Sequence, residues 1–110
     1  MQKLSLVALS RELHEQAAGA AGGRTARTVM GGHERVLRQT VIALVKDAAL
    51  TEHVNPGEAS VYVLRGRVVL AAGDLSWEGR DGDLLIVPDA PHSLRALADS
   101  SVLLTVAKRP

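Results

Sequence analysis

From residue 24 onward the chain breaks into short apolar runs separated by turn residues, and this punctuation limits the fold more than any other feature. Runs over 24–30, 36–44, 59–64, 67–72, 75–78, 84–87, 93–97 and 102–107 have strand length. They are bounded by Gly31-Gly32, Asn55-Pro56-Gly57, Gly66, Gly73-Asp74, Asp81-Gly82, the stretch from Pro88 to Pro91, and Asp99. Gly, Asn and Asp tolerate the positive φ that tight turns need, and proline cannot donate to a ladder. Regular spacing of such residues between β-like runs predicts an all-β sandwich or barrel. No helix-length segment separates the runs, which argues against a parallel βαβ sheet.

The segment before residue 24 has a different period. Leu6, Leu9, Leu13 and Ala17 recur at helical spacing, with Arg11, Glu12, Glu15 and Gln16 between them. This predicts a helix over about 5–18, ended by Gly19, Gly22 and Gly23. At 110 residues the chain is expected to form a single domain, 1–110, with a β-barrel over about 24–108.

Several runs are apolar without alternation: Val61-Tyr62-Val63-Leu64, Val68-Val69-Leu70, Leu84-Leu85-Ile86-Val87 and Val102-Leu103-Leu104. A strand has two faces, and a wall with only its inner face dry would alternate. Both faces are therefore expected to be covered. One helix covers only part of the outside, so a homodimer packed sheet against sheet is the expectation for the remainder.

Composition removes other classes. The formal net charge is +1 and the aromatic residues are Tyr62 and Trp77 alone, so neither a basic groove nor a stacking platform for nucleic acid is expected. Arg24, Arg27, Arg35 and Arg38 form the one basic cluster and read as a solvated face. Without cysteine there are no disulfides, thiolate metal sites or cysteine nucleophiles. No apolar run has the length of a membrane span and no signal-peptide pattern opens the chain, so no membrane partner and a cytoplasmic location are expected.

Two segments carry the chemistry. The first is His53-Val54-Asn55-Pro56-Gly57-Glu58-Ala59-Ser60-Val61-Tyr62-Val63-Leu64-Arg65-Gly66, and the second is Gly82-Asp83-Leu84-Leu85-Ile86-Val87-Pro88-Asp89-Ala90-Pro91-His92. Together they resemble the cupin superfamily. Its first motif is a pair of His two apart, a Glu, and a strand ending in Val-Leu-x-Gly; its second is Gly-Asp, an apolar strand, a Pro-containing turn and a His. The resemblance covers about the last two-thirds of the chain. It implies a double-stranded β-helix of jelly-roll type, with both motifs facing the barrel interior.

Such a motif can bind metal because residues i and i+2 of a strand share a face and a distant strand can complete the set. Imidazole with carboxylate suits Zn, Fe, Ni or Mn. The resemblance implies His53 and His92 as ligands, but the second histidine position holds Asn55. The family's glutamate position falls on Ala59, with Glu58 one residue early, and a one-residue offset reverses the face unless a bulge intervenes.

The candidate metal residues are therefore His53, His92, Glu58 and Asn55, holding one divalent metal or none. Gln39 and Tyr62 are candidates for contact with a bound molecule. Of Gln39 and Thr40 only one can face inward. His33 reads as a solvated turn residue, His14 as a polar-face helix residue and Glu52 as a surface carboxylate, while Trp77 is expected to plug one end of the barrel or pack in an interface. The function expected is binding of a small molecule, a divalent metal or both in the barrel interior. The alternatives are a metal-dependent enzyme of dioxygenase or isomerase type using His53 and His92, and a dimerising scaffold with an empty cavity.

Overall fold

The structure, a computed structural model, describes residues 1–53 and 57–108, with the backbone alone at residues 52 and 53. It contains helix α1 (Leu6–Ala18), a single 3-10 turn (Ala21–Gly23) and nine strands. The strands are β1 (Arg24–Met30), β2 (Leu37–Leu44), β3 (Ala49–His53), β4 (Gly57–Arg65), β5 (Arg67–Ala72), β6 (Leu75–Arg80), β7 (Leu84–Ile86), β8 (His92–Ala96) and β9 (Ser100–Lys108). They form two antiparallel sheets, β1-β2-β9-β4-β7 and β3-β8-β5-β6.

Alternation sorts the side chains of the larger sheet. Along β4, Gly57, Ala59, Val61 and Val63 are buried, whereas Glu58 and Tyr62 are exposed. On β2, Ile42 and Leu44 join the core between the sheets, and Val41 and Ala43 project from the opposite face. Both faces of β2 are dry, because α1 lies across the outside of the sheet with Leu9, Leu13 and Ala17 against Val41 and Ala43. Of the near-continuous apolar runs in the sequence, Leu64 and Leu103 pack into this second layer, whereas Tyr62, Leu84 and Ile86 are exposed.

Local chemistry fixes the helix in place. The Ser5 hydroxyl caps its start by accepting from the Ala8 N–H at 3.2 Å. Near its end, the Leu13 carbonyl accepts from the Thr25 hydroxyl at 2.7 Å, and Arg27 of β1 reaches Glu12 at 3.3 Å. His14, expected as a polar-face residue of the helix, also makes a contact across to the turn before β9. Its Nε2 lies 3.5 Å from Asp99 Oδ2, while Asp99 Oδ1 accepts from the Lys46 N–H at 2.8 Å, so the β8–β9 turn is tied to the helix and to the segment after β2.

Two glycines are required by close approach. Gly79 of β6 sits where the sheets converge, and a Cβ there would lie 3.0 Å from Leu85 and 3.1 Å from Val63. Gly66, between β4 and β5, has φ +101°, and a Cβ would lie 2.5 Å from the Asp99 carbonyl. Ser100 completes this corner, accepting from the Arg67 N–H at 3.0 Å.

Gly66→Ala combines left-handed strain with backbone overlap, so urea unfolding is expected to show a loss of at least about 2 kcal/mol. Leu13, 1% exposed under the helix, gives a second expectation. Leu13→Ala should cost about 2–5 kcal/mol in the same measurement, and a loss below about 1 kcal/mol would mean α1 is not docked as described.

Candidate functional site

His92 opens β8 on the inner side of the smaller sheet. Alternation places His92, Leu94 and Ala96 inward, and all three are buried. Its Nδ1 lies 2.9 Å from the carbonyl oxygen of Ala90. A carbonyl only accepts, so Nδ1 carries the proton and Nε2 is the basic nitrogen of the neutral ring. The Pro88–Pro91 turn thus fixes the orientation and the tautomer of an imidazole that is only 4% exposed.

The smaller sheet builds an apolar mouth beside this ring. Leu70 of β5 pairs with Leu94 of β8 on one side and Trp77 of β6 on the other. Two residues along, Ala72 pairs with Leu75, one step beyond the last β5–β8 pair, Ala71 with Ser93. Leu70, Ala72, Leu75, Trp77, Pro88 and Ala90 line a cavity of about 150 Å³ with almost no polar surface. Trp77 is 54% exposed, so one edge of the indole faces the cavity and the rest meets solvent. Leu75, Trp77 and Gly79 share one face of β6 by alternation, and of the three only Gly79 is buried.

His53 comes opposite His92 in the β3–β8 ladder through an irregularity. Leu50 pairs with Leu94 and His53 with His92, so β3 spends three steps where β8 spends two. That extra residue, a bulge, brings His53 rather than Glu52 into register with His92. The His53 side chain and all of Asn55 lie outside the described residues.

The remaining candidates fall on the outside of the larger sheet. Glu58 and Tyr62 are exposed on the outer face of β4, and Ala59 takes the buried position between the sheets. Gln39 lies on the helix side of β2 with Val41, where its Nε2 donates to the Thr105 hydroxyl at 3.2 Å. Thr40, on the Ile42 side, exchanges a hydrogen bond with the Thr28 hydroxyl at 3.2 Å.

The cupin resemblance implies a metal, and the described residues do not fit one. His92 is the inward donor, an alanine stands where a carboxylate would reach it, and Glu58 points away. Among the described residues no three His, Asp or Glu side chains come together as a ligand set. A divalent ion held by fewer than three protein groups is weakly bound.

No family profile matches the chain, and no curated protein matches it. Solved structures do. An RmlC-like cupin from Desulfovibrio desulfuricans is 23% identical, with 97% of this chain and 96% of that chain covered and a TM-score of 0.76. A conserved protein of unknown function from Streptococcus pyogenes is 27% identical over 79% of this chain and 75% of its own, with a TM-score of 0.72. A cupin superfamily protein from Desulfitobacterium hafniense is 15% identical, covers 78% of each chain and has a TM-score of 0.71. The two antiparallel sheets, the N-terminal helix and these likenesses lead to one conclusion: the chain has the fold of the small RmlC-like cupins.

Proposed function

We propose that the protein binds a small, largely apolar molecule bearing one hydrogen-bonding group, at the mouth between the sheets beside His92. The observation that carries this reading is a buried imidazole held by the carbonyl of Ala90, a residue that also lines an apolar cavity. A cavity of about 150 Å³ holds a ring or a short branched chain, which gains the burial of Leu70, Leu75 and Trp77 surface. A hydroxyl or carboxyl group on that molecule would meet the imidazole of His92, whose ring is oriented by the Ala90 carbonyl. The backbone pairing of His53 with His92 supports His53 as a second contributor. The apolar lining and the alanine at position 59 favour binding over metal-centred chemistry.

Trp77 is the chain's one tryptophan, so its fluorescence reports on this wall alone. In a thermal-shift screen of small aromatic and branched-chain acids and alcohols, ligands are expected to raise the melting temperature and to change Trp77 emission. His92→Ala should weaken such a ligand by roughly 10-fold or more, the worth of one buried hydrogen bond to a polar group. Trp77→Ala, at a half-exposed position, provides a second variant with little risk to folding. A screen without hits, or hits whose affinity ignores both substitutions, would remove the reading. Stoichiometric divalent metal in the tag-free protein, lost on His92→Ala, would replace it with the metal-centred one.

The tautomer gives an independent expectation. At a pH where the ring is neutral, long-range ¹⁵N spectra should show His92 protonated at Nδ1, the minor form of free imidazole. An Nε2-protonated ring would mean that the Ala90 carbonyl does not orient it.

A further inference from the structure

Gln39 and Arg35 find a common place on the helix side of the larger sheet. Both line a cavity of about 740 Å³ between the segment that leads into α1 and the end of the β1–β2 hairpin. Leu6, Val29 and Leu103 form its apolar part. They pack against the layer under α1 yet are only half-buried, and the cavity takes surface that they leave open. Leu4, 54% exposed, adds a fourth apolar side chain from the segment before the helix.

The polar part of the lining carries one sign. Arg35 is exposed and, among the described residues, in no ion pair, and no Asp or Glu lines the cavity. The side-chain amide of Gln39 gives one N–H to the Thr105 hydroxyl at 3.2 Å, which leaves its second N–H to donate. Two more cations stand at the Gly31-Gly32 turn: the Arg38 stem lies against Gly31, and Lys108 Nζ donates to the Gly32 carbonyl at 3.0 Å. Glu34 is the one acid of that turn. The local field favours an anion.

We propose that this cavity binds a single-chain amphiphile with a carboxylate head, independently of the mouth beside His92. The carboxylate pairs with the Arg35 guanidinium and accepts from the Gln39 amide, and the alkyl chain lies on Leu4, Leu6, Val29 and Leu103. Charge complementarity selects the head, and the aliphatic wall selects the chain. The volume falls in the range of about 300–1,000 Å³ that holds small molecules. No aromatic residue lines the cavity, so a base or a ring finds nothing to stack on. The two sites share no lining residue and are tested separately.

Isothermal titration with hexanoate, octanoate and decanoate, each below its micelle concentration, should show affinity rising severalfold with every two carbons, since each buried methylene is worth roughly 4-fold. Decylamine, with the same chain and the opposite charge, should bind at least about 10-fold more weakly than decanoate. Arg35→Gln and Leu4→Asp, both at exposed positions, should each weaken decanoate by roughly 10-fold without lowering the melting temperature of the free protein. Trp77 emission should stay unchanged as decanoate binds, because Trp77 lines only the other cavity. No decanoate binding, a flat chain-length series, or equal binding of decylamine would overturn the proposal. So would decanoate binding indifferent to both substitutions, and an emission change that tracks binding would overturn it by moving decanoate to the mouth beside Trp77.

Discussion

The structure depends on strand β9, the last in the chain, being hydrogen-bonded on both sides. It pairs with β2 from Leu37↔Ala107 to Leu44↔Ser100, and with β4 from Gly57↔Lys108 to Arg65↔Ser101. Removing it would leave the β1–β2 hairpin and its helix with no connection to β4 and β7. The same strand supplies Val102 and Val106 to the core between the sheets and Leu103 to the layer under α1. Ends of the chain must therefore meet before either core closes, a demanding order of events that makes long-range contacts dominate the fold. The Asp99–His14 and Asp99–Lys46 contacts act at the point where β9 begins, fastening its entry to α1 and to the segment after β2.

Much of this architecture is legible in the residues. The Leu6-Leu9-Leu13-Ala17 stripe gives a helix over 5–18, and Leu6–Ala18 is helical; the expected run over 24–30 is β1. Strand β3 was not anticipated. Its sequence, Ala49-Leu50-Thr51-Glu52-His53, has a single β-branched residue and no clean alternation. Pairing with β8 and a bulge make it a strand, and neither is visible locally. Tertiary pairing, not propensity, decided that segment.

The site was legible in part for the same reason. Period two says that Glu58 and Ala59 face opposite ways, and the Gly66 anchor says which of them takes the family's position; Ala59 is inward and Glu58 outward. For Gln39 and Thr40 the alternation showed that they differ but not which face is inner, because both faces of β2 are apolar. Only the helix over Val41 and Ala43 assigns Gln39 to the outside. Tyr62, expected to contact a bound molecule in the interior, lies instead on the outer face of β4, where it is exposed. The mouth by Leu75 and Trp77 needed the β5–β6 register, which a two-residue Gly-Asp turn suggested but could not set against His92.

Replacing an inward carboxylate by Ala59 changes what the buried imidazole can do. A carboxylate between the sheets would require a cation or several donors to offset its desolvation, whereas an alanine adds only apolar surface. The interior then holds a ring whose Nδ1 faces the Ala90 carbonyl, beside a core of leucine, isoleucine, valine and alanine. In so dry a setting the orientation of the one buried imidazole governs which polar group can approach it, and the aliphatic wall with Trp77 would supply the affinity.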